Sequence, residues 1–263
     1  MDLQLTGRRA LVTGASGHVG KAVAEVLLEL GATVMLTDRD PGKLGTRAHE
    51  LGLDDNSWIS GDLTREPDMS MVVRFSADRM FGPIDVLCHC AALTGTGAGV
   101  RQGWAVPFEY QSVEAFRYSL DVNLVAPFVF AQELKEDLRG EPGVMLLFGS
   151  IYGLVGPQPS LYAGIDGIGE APVGYSAAKG GVVQLTRHLA TILAPSIRCN
   201  SLVPGGLSRG QPAEFVKRYS ERTPLGRMGT EGDLKGSVAY LVSDMSAYVT
   251  GQTLVCDGGF TSW

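Results

Sequence analysis

Short apolar runs alternate along this chain with longer stretches of helical periodicity, and that alternation sets the fold class. Arg9–Thr13 is an apolar run of strand length. After it, Val19, Val23, Val26, Leu27 and Leu30 fall on one face of a helix predicted over residues 19–30. Gly31 stands where a helix commonly ends on a glycine. Thr33–Asp38 and residues 57–62 and 84–90 read as further strands, with a helix over 69–81 before the last of them. Residues 143–150 read as a buried strand, 174–193 as a helix that stops before Pro195, and 197–203 and 253–257 as late strands. Apolar strands alternating with helices imply a parallel sheet covered on both faces. Right-handed crossovers then wind the chain into a doubly wound α/β fold, three layers deep, of about seven parallel strands. No repeat, low-complexity segment or linker interrupts residues 1–263, so a single domain is expected. Two Gly- and Pro-rich stretches, 94–111 and 153–174, read as irregular loops, and loops of that length in compact domains are usually functional or disordered.

Composition removes several function classes. Hydrophobic residues make up 44% and charged residues 19%, an ordinary balance for a soluble protein. The net charge of −6 and the absence of a Lys/Arg run argue against a nucleic-acid partner. No apolar run reaches the length of a membrane span, and residues 1–9 lack an apolar signal core, so a cytoplasmic protein is expected. Cys88, Cys90, Cys199 and Cys256 form no CxxC pair, and they read as small buried thiols, with no metal site.

The first chemical signal is Thr13-Gly14-Ala15-Ser16-Gly17-His18-Val19-Gly20, between a strand and a helix. Glycine allows close backbone approach to phosphate oxygens, and the helix N-terminus offers free N–H groups to a dinucleotide pyrophosphate. An acid roughly 20 residues on completes the dinucleotide fingerprint. That acid is Asp38, at the end of the second strand. A carboxylate there accepts from the adenosine ribose hydroxyls and repels a 2′-phosphate, so NAD is expected over NADP. Arg39 follows it and is placed to pair with such a phosphate instead. Asp62 ends the third strand, either as a cap for the adenine amino group or as a turn-forming residue in Gly61-Asp62-Leu63-Thr64.

The second signal is Tyr175-Ser176-Ala177-Ala178-Lys179. Positions i and i+4 share a helical face. An ammonium near a phenol favours the phenolate, which suits Tyr175 for general acid–base work. Together with the N-terminal motif, this pair makes the chain resemble the short-chain dehydrogenase/reductase family over essentially its whole length. The resemblance extends through Asp62-Leu63, Asp121-Val122-Asn123, Phe148-Gly149-Ser150, residues 200–205, residues 224–229, Thr250-Gly251-Gln252 and Asp257-Gly258-Gly259. It implies a Rossmann-type sheet and four catalytic residues. Ser150 would polarise the carbonyl, Tyr175 move the proton, Lys179 act as its electrostatic partner and hold the nicotinamide ribose, and Asn123 hold a water of the proton relay. It places the cofactor along Gly14, Ser16, His18, Val19, Asp38, Arg39, Asp62, Leu63, Cys90, Ala91, Ala92, Tyr175, Lys179, Pro204, Gly205 and Leu207.

The chain departs from the family pattern in places. His18 replaces a glycine, His89-Cys90-Ala91-Ala92 replaces Asn-Asn-Ala-Gly, and Arg209 stands where a threonine often contacts the carboxamide. The stretch from Ser150 to Tyr175 is longer than the family's usual gap, resembling sugar-modifying members. Tyr162 sits at nearly the usual spacing from Ser150, but Asp166 rather than a lysine follows four residues on.

The expected function is therefore NAD-dependent interconversion of a secondary alcohol and a ketone under a lid of residues 207–227. The substrate is expected to be a sugar, sugar derivative or cyclic polyol, held by Arg101, Gln102, Trp104, Glu109, Gln158, Tyr162, Asp166 and Glu170 of the two long loops. The alternatives are a ketoacyl-carrier reductase, a dehydratase or epimerase using tightly held NAD, and a cofactor-binding regulator without turnover. The resemblance also implies a homotetramer or homodimer.

Overall fold

The computed structural model describes residues 3–94, 102–138, 142–166 and 168–263. Seven strands, β1 (Arg9–Thr13), β2 (Thr33–Asp38), β3 (Trp58–Ser60), β4 (Val86–His89), β5 (Gly143–Phe148), β6 (Ile197–Pro204) and β7 (Thr253–Cys256), form one sheet. Its order is β3-β2-β1-β4-β5-β6-β7, with all pairs parallel. The helices are α1 (His18–Glu29), α2 (Pro41–Glu50), α3 (Glu66–Arg79), α4 (Val113–Leu120), α5 (Ala126–Leu138), α6 (Val173–Leu193), α7 (Ala213–Arg222) and α8 (Gly232–Val242). A π-helical turn, Asp121–Val125, joins α4 to α5. Among the described residues, no helix is long and apolar enough to cross a membrane.

The strand side chains alternate between two cores, as a pleated sheet requires. Leu11, Met35, Leu87, Met145 and Leu147 face α3, α5 and α6. Ala10, Val12, Val34, Leu36, Val86, Cys88, Leu146 and Phe148 face α1, α2 and α8. Both faces are thus buried, which is why these strands read as continuous apolar runs. The winding reverses between β1 and β4, where Ala10 sits opposite Val86. A crevice opens there beyond the carboxyl ends of the strands, the usual ligand position in such sheets.

Local chemistry explains the element ends. Asp40 caps α2, accepting from the N–H groups of Gly42 and Lys43, and Pro41 occupies the first turn. Ser112 caps α4 through Ala115 N–H. Gly31 follows α1 with φ +86°, a left-handed conformation that favours glycine. Residues 153–174, expected as an irregular loop, contain a 3₁₀ turn at Pro159–Leu161, and another, Ile151–Gly153, leads into them. The other stretch, 94–111, holds a 3₁₀ turn at Phe108–Tyr110, and its residues 95–101 lie outside the described residues. The four cysteines are free thiols.

Candidate active site

The crevice is a cavity of about 630 Å³ that runs from the β1–α1 turn to the N-terminal end of α6. At its first end, Gly14 turns with φ +64°, and a Cβ there would come within 2.6 Å of the Ala91 backbone. A Cβ on Gly20 would lie 2.3 Å from the Gly14 carbonyl oxygen. Bare glycines are needed for the turn to close against the β4 end and for α1 to begin where it does. Thr13 ties the two strand ends together: Ala91 N–H donates to its Oγ1 at 3.2 Å, and Oγ1 lies 3.0 Å from His89 Nδ1. Burial pushes His89 down to about 3, with the Lys179 charge adding to it, so the ring is neutral.

Asp38 is held beside this turn. Its Oδ2 accepts from Ser16 N–H at 3.0 Å and its Oδ1 from Arg39 N–H at 2.7 Å. The Arg39 guanidinium donates to Tyr118 Oη at 3.0 Å. The Ser16 hydroxyl is buried and has no partner among the described residues. A Gly-rich turn, a helix N-terminus, a fixed carboxylate and an orphaned hydroxyl suit the pyrophosphate and ribose of a dinucleotide, so the donor set fits the cofactor that the sequence implies.

The chemical end is built from β5, the π turn and α6. Ser150 follows β5, and its Oγ accepts from Tyr152 N–H at 3.2 Å. Tyr175 and Lys179 stand one turn apart near the start of α6, with Lys179 Nζ 5.8 Å from the Tyr175 ring centroid. Lys179 is 2% exposed and donates to Phe148 O at 2.6 Å. Burial pushes its ammonium down to about 8. Burial also pushes the Tyr175 phenol up, while the Ser150 hydroxyl and the Arg209 charge pull it down. The sequence expectation was that Lys179 would depress Tyr175. In the structure desolvation dominates both groups, and the ammonium is turned toward a backbone carbonyl. Asn123 lies in the π turn, wholly buried, its Nδ2 donating to Ser119 O at 2.9 Å and Ser119 Oγ at 3.1 Å. Its Oδ1 has no partner among the described residues. A π turn inside a helix often marks a functional site, and here it carries an unsatisfied acceptor under the cavity floor.

The remaining wall is aromatic. Trp104, Tyr152, Tyr162, Phe215, Tyr219 and Met228 line it, and Tyr162 packs on Phe215 with ring centroids 5.6 Å apart. The expected lid, residues 207–227, contains α7 and supplies Leu207, Arg209, Gln211, Phe215 and Tyr219 to the cavity. Arg209 Nε donates to Glu231 at 2.8 Å.

Of the residues the sequence singles out, Gly14, His18, Val19, Asp38, Arg39, Asp62, Leu63, Cys90, Ala91, Ala92, Ser150, Tyr175, Lys179, Pro204, Gly205 and Leu207 all line this one cavity. Ser16 and Asn123 sit behind its surface. Asp62 Oδ1 accepts from the backbone N–H and hydroxyl of Thr64, so one carboxylate oxygen is spent on its turn. The loop residues need correction. Trp104, Tyr162 and Glu170 reach the cavity, whereas Gln102, Glu109, Gln158 and Asp166 do not, and Arg101 lies outside the described residues. Gln102, Glu109 and Asp166 face solvent, whereas Trp104 is buried and Tyr162 half-buried, as their large apolar rings favour. Tyr152 is absent from the sequence reading, and Phe215, Tyr219 and Met228 enter it only within the expected lid 207–227 and the motif 224–229, not as wall residues. Tyr152 could have been found from its place two residues beyond Ser150, but nothing local marks the other three.

The family model described as enoyl-(acyl carrier protein) reductase matches residues 14–261. Nodulation protein G of Rhizobium meliloti is 31% identical over 262 residues, covering 97% of this chain and 98% of that protein. The cis-4-hydroxycyclohexanecarboxylate dehydrogenase of Sinomonas cyclohexanicum is also 31% identical, covering 97% of each chain. A short-chain dehydrogenase of Leptospira borgpetersenii, solved with bound NAD+, superposes with a TM-score of 0.83 at 32% identity, covering 98% of this chain and 94% of that one. The chain belongs to the short-chain dehydrogenase/reductase family. Membership makes it an oxidoreductase acting on CH–OH groups, in a family whose cofactor is NAD(P).

Proposed function

We propose that this protein interconverts a secondary alcohol and its ketone with NAD, on a polar ring-shaped substrate such as a sugar, sugar derivative or cyclic polyol. The observation that carries the reading is the convergence of Ser150, Tyr175 and Lys179 with the Gly-rich turn and Asp38 on one cavity. NAD, when bound, supplies the hydride acceptor for oxidation, and its reduced form the donor for reduction. Asp38 and Ser16 hold the adenosine ribose, and the N–H groups at the start of α1 receive the pyrophosphate. Ser150 donates to the substrate oxygen, and Tyr175 takes its proton in oxidation and returns it in reduction. Lys179 holds the ribose on the nicotinamide side, and Asn123 Oδ1 anchors a water that passes the proton outward. The aromatic wall of Trp104, Tyr162 and Phe215 supports a ring, since flat apolar faces stack on sugar and carbocycle rings. The preference for NAD rests on Asp38, which is fixed in place by two backbone N–H groups, while Arg39 is turned to Tyr118. The protein works as a homodimer or homotetramer. Support comes from the edge strand β7 and the half-exposed Phe128 of α5, both surfaces that a partner copy would cover.

A second reading, reduction of a ketoacyl group on a carrier, is favoured by the likeness to the 3-oxoacyl-[acyl-carrier-protein] reductase of Aquifex aeolicus, 27% identical over 265 residues. Measuring NADH consumption with a panel of cyclic hydroxyketones, sugars, apolar ketones and acyl thioesters separates the two. Turnover of hydroxylated ring substrates supports the proposal, and turnover confined to acyl thioesters overturns it. A product of unchanged oxidation state with no net change in NADH would instead indicate a dehydratase or epimerase.

A further inference from the structure

Arg47 lies outside the cavity, on α2, and holds part of the turn that lines it. Its side chain is 16% exposed. Nη2 donates to the carbonyl oxygen of Ser16 at 3.1 Å. Nη1 is paired with Glu50, whose carboxylate also receives Lys21 of α1 at 3.3 Å. Glu50 thus ties the guanidinium to both helices and offsets its charge. Among the described residues, no backbone N–H donates to the Ser16 carbonyl, so Arg47 is its partner.

The Ser16–Gly17 peptide governs how α1 begins. The two peptides before it are fixed independently: Ala15 N–H donates to Thr37 O at 3.2 Å, and Ser16 N–H to Asp38 Oδ2 at 3.0 Å. A trans peptide points its C=O and N–H in opposite directions. With the Ser16 carbonyl drawn toward α2, the Gly17 N–H faces the Gly14 carbonyl and reaches it at 3.0 Å. Gly17 has no Cβ to resist rotation of this peptide, so its orientation depends on those two bonds. Gly17 is also the N-cap residue of α1, and rotating its peptide re-aims the N–H groups that follow. Those of His18, Val19 and Gly20 donate to no backbone carbonyl among the described residues. The helix has neither a side-chain cap nor an acid in its first turn, so these donors are left for an anion.

We propose that Arg47 is a positioning residue of the dinucleotide site: its bond to the Ser16 carbonyl fixes the direction in which the first N–H groups of α1 meet the cofactor pyrophosphate. This rests on the cofactor reading above and deepens it. Arg47 is not among the residues that line the cavity, so its effect passes through the turn. Its loss is therefore selective. Ligands that carry the pyrophosphate feel the change. Adenosine does not, because its ribose is assigned to Asp38, and the Ser16 N–H that holds Asp38 belongs to the preceding peptide.

The test measures the affinities of NADH, ADP-ribose and adenosine for wild type, Arg47→Met and Arg47→Lys. NADH is followed by its fluorescence, ADP-ribose by calorimetry and adenosine by NMR titration. A thermal melt verifies that each variant is folded, and the adenosine affinity verifies that the adenosine end of the site is intact. Arg47→Met keeps an apolar stem and removes the donor to Ser16. NADH and ADP-ribose should both weaken by roughly 10-fold, the size expected for losing a hydrogen bond from a charged donor. Adenosine should stay within about two-fold of wild type. Arg47→Lys restores a cationic donor and should recover part of the loss. NADH and ADP-ribose affinities within about two-fold of wild type in Arg47→Met overturn the inference. So does an equal loss for all three ligands, which would mean that Arg47 only supports the fold. Either result leaves the alcohol–ketone reading standing, whereas a wild type that binds neither NADH nor ADP-ribose overturns both.

Discussion

Replacing Lys179 by methionine should separate the stability cost of the site from its chemistry. The ammonium is 2% exposed, forms no ion pair among the described residues, and is pushed by burial from 10.5 to about 8. That displacement corresponds to about 3 kcal/mol of destabilisation of the folded protein at neutral pH. The cost is whole below the folded value of about 8. It shrinks as pH rises toward 10.5, because there the unfolded chain still holds a proton that the folded protein has released. Methionine keeps the length of the stem and removes both this cost and the charge-assisted hydrogen bond to Phe148 O, worth about 1.5–3 kcal/mol. The two changes nearly cancel at neutral pH, so wild type and Lys179→Met should have similar stability there. By about pH 10 the wild type should have gained about 2.5 kcal/mol relative to the variant. Urea denaturation of both proteins at intervals from neutral pH to about pH 10 measures this difference, and titrations common to the two cancel. A difference that stays flat across the window would refute the reasoning, since it would mean that Lys179 carries its charge in the fold without cost. The same variant should lose at least roughly 100-fold in turnover while remaining folded.

Other expectations follow from the cofactor end. Gly20→Ala would force a Cβ to within 2.3 Å of the Gly14 carbonyl, so the turn must shift. NADH affinity, read by fluorescence titration, should fall by at least about 10-fold despite the better helix propensity of alanine, and affinity within about two-fold of wild type would contradict this. Asp38→Asn keeps an oxygen for the Ser16 N–H but removes the charge. The preference for NADH over NADPH should fall by at least about 10-fold in paired titrations, because the repulsion of a 2′-phosphate is lost. An unchanged ratio would show that Arg39 or the turn, rather than Asp38, decides the cofactor.

The parts of this fold that were legible in the sequence are those whose physics is local. β1 and β2 stand where the apolar runs place them, since both faces of each are buried. β3 is shorter than expected, ending at Ser60, because Gly61 packs against Val72 and Asp62 opens the next turn. α2 was missed although Asp40-Pro41 is a helix-start signal, because only Leu44 and Ala48 of its ten residues are buried and few apolar positions mark it. The π turn at Asp121–Val125 has no sequence signature, yet it delivers Asn123 to the site. The same division holds in the cavity. Gly14, Ser150, Tyr175 and Lys179 belong to short motifs at strand ends and on one helix. Phe215, Tyr219 and Met228 are brought to the wall by long-range packing of the segment after β6, which no local pattern encodes. The desolvation that governs Tyr175 and Lys179 is likewise a property of the assembled core.

The central claim is that Tyr175 moves a proton while hydride passes between the substrate carbon and the nicotinamide. Isotope transfer tests it most directly, using the ring alcohol that is turned over fastest, deuterated at its carbinol carbon, with NAD as the acceptor. Mass spectrometry of the reduced cofactor should find the deuterium in wild type. Tyr175→Phe should slow the transfer by roughly 100- to 10,000-fold while NADH affinity stays within about three-fold of wild type. Deuterium that never reaches the nicotinamide, or a Tyr175→Phe protein that transfers it at the wild-type rate, would contradict the account.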